Sequence, residues 1–349
     1  MSSPSSAQLA APPNFEQSEN GSNLHSTILF TFFMGIYTMV YFGTLYLYLA
    51  RKTAQRHIVI ATITALYIFN VIIFAGQWWL IQWEFITNGQ TQDSIYVAYM
   101  FVSPEWLNLV IDVMSVLTIV LADGLLIWRC YYVCNRSIRI LALLLVLWIA
   151  EFGISVSSLA IQGVIGGTNA THQLAVEAND LVSAQYFMSF FTSVVATCLI
   201  AYKIISVSKQ SVTIGISSGR QFRHILDIVV QSSVIYSLAL LLIAIGFVLP
   251  EEVGDGRNTR GIAFFNYSTA LAYAISGLAP TVMVARVALL ATDRPDPSSG
   301  PHLSNLNFGG NSTSYSDAAE VQENSTVNSN SHPVSWDIRE KHAAEALEA

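Results

Sequence analysis

The sequence predicts an all-α membrane protein, a bundle of seven transmembrane helices with its N-terminus outside and its C-terminus in the cytoplasm. Three observations predict it. Of the 349 residues, 53% are hydrophobic and only 11% charged, whereas an ordinary soluble domain carries roughly 25% charged residues. Seven windows are mostly apolar over ~20 residues, the length that crosses a bilayer. Lysine and arginine concentrate in alternate connections between those windows, the signature of cytoplasmic loops.

Residues 1–24 are polar, with no basic n-region and no small-residue cleavage site, and read as an extracellular disordered N-tail. The seven-helix domain occupies residues 25–290, with spans at about 25–50, 58–83, 105–128, 138–162, 181–205, 225–249 and 261–285. Residues 291–349 are rich in Ser, Asn, Asp, Glu and Pro. Such a segment cannot bury enough apolar surface to fold alone, so it reads as a disordered cytoplasmic tail with candidate phosphorylation sites. That tail holds nine acids and three bases, nearly all of the net charge of −7. The membrane domain is therefore close to neutral and offers no basic groove for nucleic acid.

Orientation rests on the loops. Arg51, Lys52, Arg56, Arg129, Arg136, Arg139, Lys203, Lys209, Arg220, Arg223 and Arg286 fall on one side, and only Arg257 and Arg260 on the other. The basic side is read as cytoplasmic. Trp78, Trp79, Trp83 and Trp106 cluster at the outer ends of spans two and three, where amphipathic rings form an interfacial belt. An aromatic cage for a ligand is the alternative. Asn20 and Asn169 head glycosylation sequons on the outer side. No pair among the three cysteines falls on the oxidising side, so no structural disulfide is expected.

Ionisable groups at membrane depth are costly and face the bundle interior. Span three carries Asn108, Asp112, Ser115 and Asp123 on one stripe. Asp112 and Asp123 are eleven residues apart, almost three turns, or roughly 16 Å along the axis. Span two adds Asn70 and Gln77, span four Glu151, span five Gln185, and span six Asp227 and Gln231, while no Lys or Arg lies deep in any span. Asn108, Asp112, Glu151 and Gln77 are the candidate ligand-binding residues. Asp123 and Arg129 are a candidate inner polar lock, because a basic side chain near the inner surface can snorkel toward the acid. Interhelical hydrogen bonding that fixes the bundle is the alternative for all these groups. In span seven, Pro280 removes a backbone hydrogen bond close to Gly277, and the two form a candidate hinge.

Absences exclude several chemistries. Span seven has no lysine for a retinal Schiff base of the rhodopsin type, and no span holds the clustered histidines of a zinc hydrolase. No metal site, cofactor site or nucleophile–base constellation is legible, so an enzyme is not expected. No convincing repeat relates segments one to three and five to seven, which weakens a transporter built from inverted halves.

Three strings carry a resemblance. ADGLLIWRCYYV at 122–133, VQSSVIYS at 230–237 and SGLAPTVMVARV at 276–287 resemble segments of an uncharacterised seven-transmembrane protein family of mushroom-forming (basidiomycete) fungi. That family is similar to G-protein-coupled receptors in topology, and the resemblance implies a receptor-like topology without implying an activity.

Three functions follow as expectations. The first is a receptor-like protein, in the plasma membrane rather than an internal one, that binds a small ligand between its helices and meets a cytoplasmic signalling partner. The second is a proton-coupled transporter or channel that uses the intramembrane carboxylates. The third is a non-signalling membrane organiser.

Overall fold

A computed structural model of the protein describes residues 13–50, 56–134, 137–167, 172–213, 219–249 and 259–292. Among them stand eight α-helices and no strand: α1 (Pro13–Leu49), α2 (Arg56–Gln82), α3 (Gln92–Val97), α4 (Glu105–Val133), α5 (Ile138–Gly167), α6 (His172–Thr213), α7 (Gly219–Val248) and α8 (Thr259–Thr292). All but the six-residue α3 are long and apolar enough to cross a membrane, seven in number. The chain is a multi-pass membrane protein built as a seven-helix bundle. Apart from residues 291 and 292, the expected tail at 291–349 lies outside the described residues, as do Asn169 and the connections that carry Arg51, Lys52, Arg136 and Arg257.

Each long helix packs on the next in chain order, and α8 returns to α1, so the bundle closes into a ring. Helix α4 also touches α6 and α8 across the interior. Of the apolar window of α4, 61% is buried within the protein, against 17% for α5. The polar stripe therefore sits on the most buried of the seven spans. Helix α5 shows most of its surface outward, with Leu143, Val146, Ile149 and Phe152 exposed, a face that lipid rather than water would cover.

The largest departure from expectation is at the N-terminus. Residues 13–24, expected within the disordered N-tail, are the first three turns of α1. Phe15, Glu16, Glu19, Asn20, Ser22 and Asn23 are all buried. The reason lies in what covers them. Phe15 meets Tyr96 of α3 edge-on, with ring centroids 6.0 Å apart. The Asn20 side-chain amide donates to the Gln92 carbonyl at 3.0 Å, and the Asn266 amide of α8 donates to the Ser22 hydroxyl at 2.9 Å. A polar segment stays helical here because neighbours from both sides satisfy its side chains. Asn20, which heads the first sequon, is buried with its side-chain amide engaged in that hydrogen bond.

The link from α2 to α4 is folded, not loose. Helix α2 runs into a π-helical turn at Trp83–Thr87, and a second such turn at Ala98–Val102 follows α3. Gly89 permits the reversal between them, because a Cβ there would lie 1.9 Å from the Phe85 carbonyl oxygen. Thr91 caps α3 reciprocally with Ser94: each side chain accepts the other residue's backbone N–H, at 3.1 and 2.9 Å.

Helix α8 continues without a break through Pro280. The Thr281 hydroxyl donates to the Gly277 carbonyl at 2.8 Å. Gly277 is a packing residue: a Cβ there would stand 2.5 Å from the Asn70 amide nitrogen and 2.7 Å from the Tyr37 ring. The missing side chain lets α8 press against α1 and α2 where all three meet. Trp148 of α5 packs beside Gly124 of α4, and its Nε1 donates to the Val120 carbonyl at 3.0 Å.

Candidate ligand cavity

The upper end of the bundle, where α1 begins, contains a cavity of about 540 Å³. All seven long helices contribute to its wall, together with residues of the two π-helical turns and Ser103 just beyond the second. Short side chains on the wall include Ser26 and Thr27 from α1, Ser103 before α4, and Thr269 and Ala270 from α8. A volume of this size suits a small organic molecule, for which pockets run ~300–1,000 Å³.

Three carboxyls stand on the wall: Glu19 from α1, Glu84 from the first π-helical turn, and Asp112 from α4. Glu84 is buried and accepts a hydrogen bond from the Asn23 amide at 2.9 Å. Asp112 lies deeper, beside Tyr186 of α6 and Tyr273 of α8, and accepts no hydrogen bond from the described residues. Six aromatic rings share the wall: Phe30, Tyr99, Tyr186, Phe247, Phe265 and Tyr273. Phe247 stacks on Tyr186 with centroids 5.6 Å apart and meets Phe265 edge-on at 4.9 Å. The wall has no Lys, Arg or His among the described residues.

Of the four residues expected to bind a ligand, Gln77, Asn108 and Asp112 come together on this wall. Asn108 donates to the Ser103 hydroxyl at 2.9 Å, which orients its amide toward the start of α4. Glu151 is elsewhere. It is fully buried in the lower half, facing Asp123 of α4, with Tyr236 of α7 beside both. The expectation that it lines the pocket is corrected, because α5 packs on the inner stretch of α4 and delivers Glu151 to Asp123 rather than to Asp112.

The expected pairing of Asp123 with Arg129 is corrected as well. Asp123 is completely buried and accepts a short hydrogen bond from the Ser189 hydroxyl of α6. Its other neighbours are Glu151 and Tyr236, not Arg129. Six residues separate Asp123 from Arg129, which turns the guanidinium well away from the carboxyl on the helix. Arg129 instead lines a small cleft with Ser232, Ser233, Tyr236, Pro280 and Met283. One oxygen of Asp123, both of Glu151 and the Tyr236 hydroxyl are buried without a hydrogen-bond partner in good geometry. Two adjacent carboxyls can bond to each other only when they hold a proton between them.

The outer tryptophans take no part in the cavity. Trp78, Trp79 and Trp106 are exposed on the bundle's outside, and Trp79 stacks on Trp83 at 6.4 Å. None of the four lines the cavity as a cage would, and outward-facing rings fit the expected interfacial belt. Glu19, Glu84, Asn23, Tyr186 and Tyr273 are the wall residues that sequence reasoning missed. A signal existed for the first helix: Glu16, Glu19, Asn23, Ser26 and Phe30 continue the three-and-four spacing of the buried stripe Met34, Tyr37 and Tyr41.

Compared with protein-family models, curated proteins and solved structures, the chain shows no match.

Proposed function

We propose that this chain is a receptor-like membrane protein that binds a small ligand between its helices. The observation that carries the proposal is the cavity of about 540 Å³, walled by both polar and apolar side chains and reached by every spanning helix. A ligand there would touch all seven helices at once. Contacts that differ between two packings of the ring would bias the equilibrium between them, which is the physical content of ligand-driven signalling. The basic side chains near the opposite end, Arg139, Lys203 and Arg286 among them, offer a surface for a cytoplasmic partner. The proposal includes an outward-facing N-terminus in the plasma membrane, for which the distribution of Lys and Arg is the support. An N-terminal epitope tag should be stained on intact, unpermeabilised cells.

The direct test uses full-length protein in nanodiscs and a chemically diverse fragment library. The expected result is a set of compounds that raise the thermal midpoint of the native protein but not of Thr269→Phe, which fills the cavity from α8. If no compound distinguishes the two proteins, the ligand-binding reading fails.

A second reading has one observation in its favour. The Asp123–Glu151 pair, buried and short of hydrogen-bond donors, is the kind of group that carries a proton in a coupled transporter. It requires a pH-gradient-driven flux in proteoliposomes that Asp123→Asn and Glu151→Gln abolish.

A further inference from the structure

We infer that the ligand of the upper cavity is an organic cation, an amine or quaternary ammonium compound with an apolar body. The inference rests on the ligand-binding reading above and adds the chemistry of the ligand. It starts from the charges on the wall. Glu19, Glu84 and Asp112 place three carboxyls around one cavity, and no described wall residue is basic. Where these carboxyls are ionised they repel an anionic ligand, in a setting where water screens little. A neutral ligand could donate a hydrogen bond to Asp112 but would leave an ionised carboxyl there without a counter-charge. A cation supplies what the wall lacks.

The aromatic residues point the same way. Tyr186 and Tyr273 flank Asp112, and Tyr99 lies beside Tyr273. Ring faces attract a desolvated cation through the quadrupole, and a carboxylate set among rings is the combination that holds ammonium groups. The apolar remainder of the wall, Ile111, Val182 and Ile243 among it, would take the ligand's hydrocarbon part.

A metal ion is the other cation to consider, and the geometry disfavours it. No three His, Cys, Asp or Glu side chains among the described residues gather closely enough to hold a metal ion. The three carboxyls come from α1, the π-helical turn after α2 and the upper third of α4, on three separate segments of the wall. A divalent ion demands several oxygens at one point. A ligand that spans the cavity can instead place an ammonium at Asp112 and carry its body or a second amine toward Glu84.

The test uses the full-length protein in nanodiscs and a library in which each ammonium compound is paired with its neutral and anionic isosteres. Phenethylammonium, phenylethanol and phenylacetate form the lead trio, and tetramethylammonium stands as the smallest probe. Binding is read by thermal shift and by titration calorimetry. The expected result is saturable binding of ammonium compounds, at least tenfold tighter than their neutral isosteres, with the anions inert. Asp112→Asn should weaken ammonium binding at least tenfold, and Glu84→Gln, an independent variant on another helix, should weaken it too. Glu177→Gln, an exposed acid of α6 that is not on the wall, should change nothing. If neutral isosteres bind as well as the ammonium compounds, or if both Asp112→Asn and Glu84→Gln leave ammonium affinity unchanged, the cation inference is overturned while ligand binding stands. If no compound of any class binds, the ligand-binding reading falls with it.

Discussion

Asp112 and Asp123 are the same residue type on the same helix, almost three turns apart on one stripe, yet the two halves of the bundle treat them differently. In the upper half Asp112 borders a cavity, with Tyr186 and Tyr273 beside it and no hydrogen bond from the described residues. In the lower half Asp123 is sealed, bonded to Ser189, and set against a second carboxyl from α5 and a tyrosine from α7. The upper acid faces empty volume and the lower acid faces protein. A carboxyl facing a cavity is free to meet something from outside. A carboxyl buried among its own neighbours ties four helices together. The role of an intramembrane acid is therefore decided by what the adjacent helices deliver to it, not by its depth or its position on the stripe.

Breaking the lower cluster should produce the largest effect. Asp123→Ala removes the acceptor of Ser189 and leaves Glu151 and Tyr236 facing a void. A loss of about 3 kcal/mol is expected, the scale of stranding several buried polar groups. Thermal or denaturant unfolding of the purified protein checks it. The double variant Asp123→Asn, Glu151→Gln should be much milder, because two amides can donate to one another. If it is as unstable as the alanine variant, the cluster is not held by hydrogen bonding.

Gly277→Val comes next. Its side chain would have to displace Asn70 and the Tyr37 ring, and overpacking of this kind costs about 2 kcal/mol. If the variant unfolds at the wild-type temperature, the contact of α8 with α1 and α2 is looser than described. The polar start of α1 should matter less. Asn20→Ala loses one hydrogen bond to the Gln92 carbonyl, about 1 kcal/mol. Enzymatic deglycosylation of the protein from a secretory host should reveal no glycan at Asn20; a glycan there would mean that the first turns of α1 are open.

The smallest effect sharpens the contrast most. Asp112→Asn keeps the shape and breaks no hydrogen bond seen in the structure, so its stability should stay within about 0.5 kcal/mol of the parent protein. A large loss in that variant would make Asp112 a structural group like Asp123 and would erase the difference between the two halves.

Much of this was legible beforehand for a simple reason. A spanning helix must be apolar over a fixed length whatever it packs against, so the seven spans emerge near their expected positions. The stripe of Asn108, Asp112, Ser115 and Asp123 follows from helical periodicity alone, and Gln77, Asn108 and Asp112 do share a wall. Glu151 could not be placed, because periodicity within α5 says which face it occupies but not which turn of α4 that face meets. Arg129 was misjudged for a related reason: nearness in sequence suggested a partner that the helix turns away. Residues 13–24 are polar in composition, which suggests solvent, yet they fold as helix against other parts of the chain. There the partners are Tyr96, Gln92 and Asn266, distant in sequence and invisible until the chain folds.

The sequence by itself determined that the protein crosses a membrane, how many helices do so, and which side chains on each must avoid lipid. Those properties depend on local composition and on the 3.6-residue turn, which every segment carries within itself. Only the tertiary structure decided that α1 extends upward to wall a cavity, that Asp112 faces open volume, and that Glu151 meets Asp123 far below it. Those outcomes depend on how one helix slides and turns against another. That register is set by pairwise packing, such as Gly277 against Tyr37 and Asn70.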